Sequence, residues 1–193
     1  MSEHRSLKTQ EREIETLVSK AQEGNTDAFA KLYDIFFTPV YRYVYYRVRI
    51  EDYEDIIEIV FLKIWTNVKK YRVTDKNSSF ISWVFRIAHN VVIDYYRDHR
   101  ETIELTPDIP DHRDTASIHT GADQKINNGI LKSALGRLKE PYQQVLVLKF
   151  LDDLDNTEIA TILGKSQNSL RILQFRALKS LRNVLEEMGI TNF

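Results

Sequence analysis

At 193 residues the chain has room for one ordinary domain or two small ones, and its 42% apolar share excludes wholesale disorder. The absence of cysteine excludes disulfides and thiolate metal sites, and no apolar run approaches the roughly 20 residues of a membrane helix. A net charge of −1 argues against a uniformly basic nucleic-acid binder.

The distribution of charge says more than its sum. Residues 1–100 carry 16 Lys/Arg and 15 Asp/Glu, residues 101–125 carry 2 and 6, and residues 126–193 carry 9 and 7. The middle is acidic, and basic charge is concentrated locally elsewhere. Met1 to Arg5 lead into polar sequence without a signal peptide's apolar stretch, which fits a cytoplasmic protein with no direct membrane insertion.

In chain order the apolar periodicity is helical almost throughout. Phe29, Leu32, Tyr33 and Phe36 follow the i, i+3, i+4, i+7 pattern, with Asn25 placed to cap the helix. Pro39 suits the first turn of a further helix through Val40, Tyr43, Val44 and Arg47. Asp52 is placed to cap a helix carrying Ile56, Ile57, Val60, Phe61, Ile64 and Val68 on one side. Ser78 or Ser79 starts another, with Phe80, Val84, Ile87 and Val91 inward. These segments predict a bundle of about four helices over roughly residues 11–99.

Periodicity then stops. Residues 101–125 hold two prolines, several acids and Ser/Thr, and read as a linker. It resumes at Ile126 and runs to about Met188, with Pro141 fitting a helix's first turn before Val145, Leu148 and Leu151. The predicted fold is all-α: two small helical domains joined by a flexible acidic linker, with boundaries 11–100, 101–125 and 126–190.

The strongest local signal lies between Asp155 and Leu170. Asp155 and Glu158 have capping-box spacing, Ile159 and Leu163 share a face, and Ala160 is small where a second helix must cross. Gly164 can adopt the left-handed conformation that ends a helix, Ser166 can cap the next, and Leu170 and Leu173 point back. This is the pattern of a helix-turn-helix. From Gly164 to Arg182 the second helix has Lys165, Arg171, Arg176, Lys179 and Arg182 and no acid, as phosphate contacts require. Ser166, Gln167, Asn168, Ser169 and Arg171 near its start offer groups that reach base edges in a major groove. An ordinary helical hairpin with a solvated basic face is the plainer reading; the spacing of Ala160, Gly164 and Leu170 favours DNA.

The segment from Leu138 to Val145, through this helix-turn-helix to Phe175–Arg182, resembles region 4 of extracytoplasmic-function sigma factors, group 4 of the sigma-70 family. Tyr53–Trp65 resembles the polymerase-binding helix of that family's region 2, and Phe80–Arg97 its minus-10 reading helix. Both matches come in the family's order and together cover most of residues 13–188. Two departures stand out: Glu58-Ile59 replaces the usual Gln-Glu, and Asn168 replaces a common Gly after the capping Ser.

The resemblance implies an alternative sigma factor that binds core RNA polymerase, directs it to minus-35/minus-10 promoters and helps melt the minus-10 DNA. Its partners would be core RNA polymerase, double-stranded and melted promoter DNA, and an anti-sigma factor packed between or around the two domains. The minus-35 residues would be Ser166, Gln167, Asn168, Ser169, Arg171, Gln174, Phe175, Arg176 and Lys179. The minus-10 residues would be Lys76, Asn77, Trp83, Arg86, His89, Asn90 and Arg97. Aromatics interleaved with basic and amide groups suit separated bases, which need stacking partners and a pocket; Trp83 would serve equally well as core. Polymerase would be held by Asp55, Glu58, Phe61, Leu62 and Trp65, although Phe61 and Ile64 read better as core. The acidic linker resembles the family's connector through the polymerase cleft, and an ordinary solvated tether explains it as well.

No catalytic constellation, metal site or cofactor motif is expected. The five histidines lack ligand spacing, the glycines form no phosphate loop, and Asp152-Asp153 reads as a turn. Two other readings compete. A stand-alone helix-turn-helix regulator would bind an operator tightly without polymerase. A sigma mimic would lack the basic face of Arg171, Arg176 and Lys179.

Overall fold

The computed structural model describes residues 7–73, 79–99 and 122–190. All regular structure among them is helical. After a short 3-10 turn, α1 (Glu11–Gln22) buries Ile14, Leu17, Val18 and Ala21. Asn25 caps α2 (Thr26–Tyr45), its side chain accepting the Ala28 N–H at 2.8 Å.

The sequence suggested a helix start at Pro39; instead Pro39 lies inside α2, which runs through it unbroken. Proline removes one backbone hydrogen bond there. Phe36, Val40, Tyr43 and Val44 form one stripe, each at most 1% exposed, and packing of that stripe outweighs the missing bond.

Helix α3 (Tyr53–Asn67) buries Ile56, Ile57, Val60, Phe61 and Ile64, and a 3-10 turn (Val68–Lys70) follows it. Asp52 precedes α3 without capping it, because its carboxylate accepts the Tyr95 hydroxyl at 2.7 Å instead. That bond ties the start of α3 to the end of α4 (Phe80–Asp98). Ser79 caps α4 in a reciprocal box with Ser82: Ser79 Oγ accepts the Ser82 N–H and Ser82 Oγ accepts the Ser79 N–H, both at 3.1 Å. Phe80, Val84 and Val91 point inward as expected, while Ile87 is half-buried.

Most of the linker, residues 101–121, lies outside the described residues. Helix α5 begins at Ala122 and runs to Gly136, and α6 (Glu140–Leu146) has Pro141 in its first turn. A π-helical turn (Val147–Leu151) follows, and Asp153 then takes φ 52°, unusual for a residue other than glycine. Helices α7 (Asn156–Leu163) and α8 (Gln167–Glu187) complete the chain. Leu135, Val145, Leu148, Leu154, Ile159, Ile162, Leu170 and Ala177 are buried between α5 and α8.

The two helical groups are in contact. Helix α7 packs along α4, and the π-turn meets α2. One continuous apolar core runs through both groups.

Candidate nucleic-acid interface

The turn between α7 and α8 is built as its sequence predicts. Asp155 Oδ1 accepts the Glu158 N–H at 2.8 Å, and Glu158 Oε2 accepts the Asp155 N–H at 3.0 Å. Gly164 ends α7 in the left-handed region at φ 60°, with nothing within 4 Å of where a Cβ would stand. Ser166 then caps α8 by accepting the Ser169 N–H at 3.2 Å. Leu170 and Ala177, fully buried, fix the rotation of α8 about its axis. That rotation turns Asn168, Ser169, Arg171, Phe175, Arg176 and Lys179 outward. Phe175 is 71% exposed, which no core requirement explains.

Two of the predicted base-reading amides are engaged inside the motif. Gln174 Nε2 donates to Asn156 Oδ1 at 2.9 Å and Gln167 Nε2 to Thr157 Oγ1 at 3.2 Å. Both brace α8 on α7, so Gln174 in particular has a positioning role in this structure.

On α4, Trp83, Arg86, Asn90 and Arg97 occur at helical spacing and share a side, with Arg86, Asn90 and Arg97 exposed. Trp83 stacks on Phe80 at 5.2 Å and lies 5.3 Å from Tyr71, so it is both bundle wall and surface. A cleft of about 250 Å³ opens beside it, lined by Lys63, Asn67, Lys70, Trp83, Ile87 and Asn90. Lys63, Asn67 and Lys70 escaped the sequence reading; their i, i+4, i+7 spacing along α3 and the following turn was the available signal. Asp94 pairs with Arg97 at 3.1 Å and with Lys63 at 3.8 Å, bridging α3 and α4 beneath this surface.

His89 departs from its predicted place on that stripe. It is half-buried, with Nδ1 3.4 Å from the Tyr43 hydroxyl. Burial, with the positive charges of Arg47 and Arg86, pushes its pKa down to about 4, leaving a neutral ring at pH 7. Lys76 and Asn77 lie outside the described residues.

Along α3, Asp55, Glu58, Leu62 and Trp65 face solvent, Leu62 at 62% and Trp65 at 43% exposure. Phe61 does not join them: it is 7% exposed and packs on Tyr33 at a 4.4 Å ring separation, so it belongs to the core. Trp65 keeps an edge contact to Phe29 at 4.5 Å. The result is an apolar strip rimmed by acids, the composition of a protein-docking surface.

Comparison with known proteins agrees with this geometry. Sigma-70 region 2 matches residues 32–102, and Sigma-70, region 4 matches residues 128–181. The chain belongs to the sigma-70 family, in its extracytoplasmic-function branch. The ECF RNA polymerase sigma factor BldN of Streptomyces coelicolor is 32% identical over 174 residues, which span 89% of this chain and 65% of BldN. SigW of Bacillus subtilis is 25% identical over 190 residues, 91% of this chain and 98% of SigW. Among solved structures, CnrH in complex with the cytosolic domain of CnrY aligns with a TM-score of 0.67 at 22% identity, covering 89% of this chain and 96% of that one, a likeness of fold. Sigma factors are non-enzymatic regulators that direct RNA polymerase in transcription initiation. No described helix is long and apolar enough to cross a membrane.

Proposed function

We propose that this sigma factor works in the cytoplasm as an alternative promoter-specificity subunit, with residues 11–100 acting as region 2 and residues 126–190 as region 4. Asp55, Glu58, Leu62 and Trp65 on α3 dock on core RNA polymerase. Trp83, Arg86, Asn90 and Arg97 on α4 engage the melted minus-10 strand, with Lys63, Asn67 and Lys70 lining the same cleft. Stacking on Trp83 and neutralisation of backbone charge are what separated bases need. Lys76 and Asn77 would act in the same capture.

Ser166, Asn168, Ser169, Arg171, Phe175, Arg176 and Lys179 on α8 read the minus-35 duplex, phosphate contacts setting register and base-edge contacts setting sequence. The linker between the regions would act by its negative charge within polymerase. An anti-sigma factor is the expected regulator; among similar solved structures, the sigma factor RpoE is in complex with the anti-sigma factor NepR from Bartonella quintana.

The observation that carries this reading is the presence on one chain of three differently built surfaces: an acid-rimmed apolar strip, an aromatic-basic stripe and an acid-free recognition helix. A stand-alone operator-binding regulator needs only the third. Run-off transcription with core polymerase on promoter fragments, with and without the protein, tests it. Discrete protein-dependent transcripts that disappear in an Arg171→Ala/Arg176→Ala double variant support the reading. Tight duplex binding by the protein alone, with no initiation and no binding to core polymerase, would replace it with the operator-binding one.

A further inference from the structure

The three surfaces lie on α3, α4 and α8, yet the last residue of α1 reaches one of them. Gln22 Nε2 donates to Val68 O at 3.0 Å and to Tyr71 O at 2.8 Å. These carbonyls stand at the two ends of the 3-10 turn through which the chain leaves α3. They lie 46 and 49 residues from Gln22, so no local rule of helix formation calls for the contact. Gln22 also precedes residues 32–102, the segment matched to region 2.

Gln22 is itself held still. Gly24, at φ 94°, ends α1; its N–H donates to Ala21 O at 3.0 Å, and the Asn25 N–H donates to Lys20 O at 3.0 Å. That is the paired closure of a Schellman motif. Asn25 then caps α2 directly. The amide of Gln22 therefore starts from an ordered backbone, and α1 packs on the turn it reaches.

The turn has a use for an outside donor, because the last carbonyls of a helix lack partners within it. Val68 O accepts the Tyr71 N–H at 3.1 Å, and Gln22 occupies its second lone pair. Tyr71 O is shared between Gln22 and Arg72 Nη1, the latter at 2.7 Å, and Arg72 Nη1 also donates to Lys69 O at 2.9 Å. At Tyr71 the backbone turns extended, with φ −59° and ψ 132°. Gln22 thus grips the point where the helical path ends.

That point carries a wall of the cleft beside α4. Lys70 lines the cleft directly, as does Trp83. Tyr71, 9% exposed, sets its ring 5.3 Å from Trp83 and edge-on to Phe80 at 5.1 Å. Lys70 and Tyr71 are adjacent, so a shift of the turn moves both, and with Tyr71 goes the ring against which Trp83 is set.

We propose that Gln22 is a positioning residue for the minus-10 strand: its amide fixes the turn that places Lys70 and, through Tyr71, Trp83 in the cleft. The consequence for the strand rests on the sigma reading; the consequence for the cleft does not.

The test uses the full chain assembled with core polymerase, and three changes that differ in hydrogen-bond donors. Gln22→Met keeps the length and removes the N–H groups, Gln22→Glu turns acceptors toward two carbonyls, and Gln22→Lys keeps a long side chain that donates. The probe is a forked fragment, single-stranded across minus-10, made from the promoter that run-off transcription defines. Gln22→Met should weaken fork binding about tenfold, the scale of one or two hydrogen bonds, and Gln22→Glu should weaken it further. Gln22→Lys should restore binding close to wild type. A duplex minus-35 fragment and core polymerase itself should be bound equally well by every variant.

A second measurement needs neither DNA nor polymerase. In a Trp65→Phe background Trp83 is the remaining tryptophan. Its quenching by acrylamide should rise in Gln22→Met and Gln22→Glu, where Tyr71 no longer holds its place, and stay low in Gln22→Lys.

Fork binding equal in wild type and Gln22→Met would overturn the proposal, and so would unchanged Trp83 quenching. Losses of equal size on the fork, the minus-35 duplex and core polymerase would overturn it too, since they mark general destabilisation. If quenching follows the donor series but wild-type holoenzyme binds no fork, the minus-10 reading fails and the role of Gln22 in shaping the cleft stands.

Discussion

A single carboxylate oxygen of Asp152 receives two nitrogens of Arg42, at 2.8 and 2.7 Å, from a helix 110 residues earlier in the chain. Burial pushes Asp152 up to about 7, against the opposing pull of Arg42. The folded protein therefore holds a proton between about pH 4 and 7 that an unfolded, hydrated Asp152 gives up. The Asp152 contribution to stability should be fully present below about pH 4, decline as pH rises to about 7, and be flat above.

Other titrating groups bear on this window. Lys132, held down to about 8 by burial, keeps its charge throughout it. His89, lowered to about 4, acts in the opposite sense between 4 and 6.5. Asp152→Asn keeps His89 and removes the acid. The stability difference between wild type and Asp152→Asn, read as Tm, should thus fall between pH 4 and 7; a difference independent of pH would refute it.

The helix caps make a prediction about stability alone. Gly164→Ala meets no atom within 4 Å but must adopt φ 60°, at a cost of about 1–2 kcal/mol. Asp155→Ala and Ser79→Ala each break a reciprocal box and should cost about 1 kcal/mol. Each kcal/mol should lower Tm by roughly 2–4 °C in a chain this size. Urea and thermal unfolding of the three variants check the ranking, and Gly164→Asn should recover part of the loss.

Local signals were legible in the sequence, and long-range ones were not. Asn25, Ser79, Asp155, Gly164 and Ser166 each cap or end a helix as their spacing predicts, because caps depend on residues three or four apart. Pro39 misled because a local rule was outweighed by a buried stripe contributed by distant residues. Asp52 misled likewise: Tyr95, 43 residues away, takes its carboxylate. His89 was placed by its position on a helix, but Tyr43, the neighbour it meets, lies on α2; Phe61 read better as core from its helical face, and it packs on Tyr33 of α2. Asp152 read as a turn residue, which it is; its partner Arg42 leaves no periodic trace in the sequence.

The basic face of α8 predicts a salt dependence. Each Lys or Arg that neutralises a phosphate adds about 0.9 to the slope of log affinity against log salt. Arg171→Ala and Arg176→Ala, both at exposed positions, should each lower that slope by about 1 for holoenzyme on a minus-35 duplex. Phe175→Ala should leave the slope unchanged while reducing discrimination between promoter and non-promoter duplex, since an exposed ring carries no charge. Titrations across salt concentrations on both duplexes separate the two effects; a slope unchanged in both arginine variants would remove these side chains from the phosphate contacts.

Adjacent residues on α3 should divide cleanly between folding and binding. Phe61 is 7% exposed among Tyr33 and Phe37, so Phe61→Ala should cost about 3–5 kcal/mol of stability, as for other large core truncations. Leu62, the next residue, is 62% exposed, and Leu62→Ala should change stability by no more than about 0.5 kcal/mol. If α3 is the polymerase surface, Leu62→Ala and Trp65→Ala should nonetheless weaken core binding by about 1–2 kcal/mol each, the range of a residue central to an interface. Trp65 should also lose some stability through its edge contact with Phe29. Denaturation midpoints and core-polymerase affinities measured on the same preparations test the division. A Leu62→Ala protein with full affinity for core polymerase would move the docking surface off this face of α3.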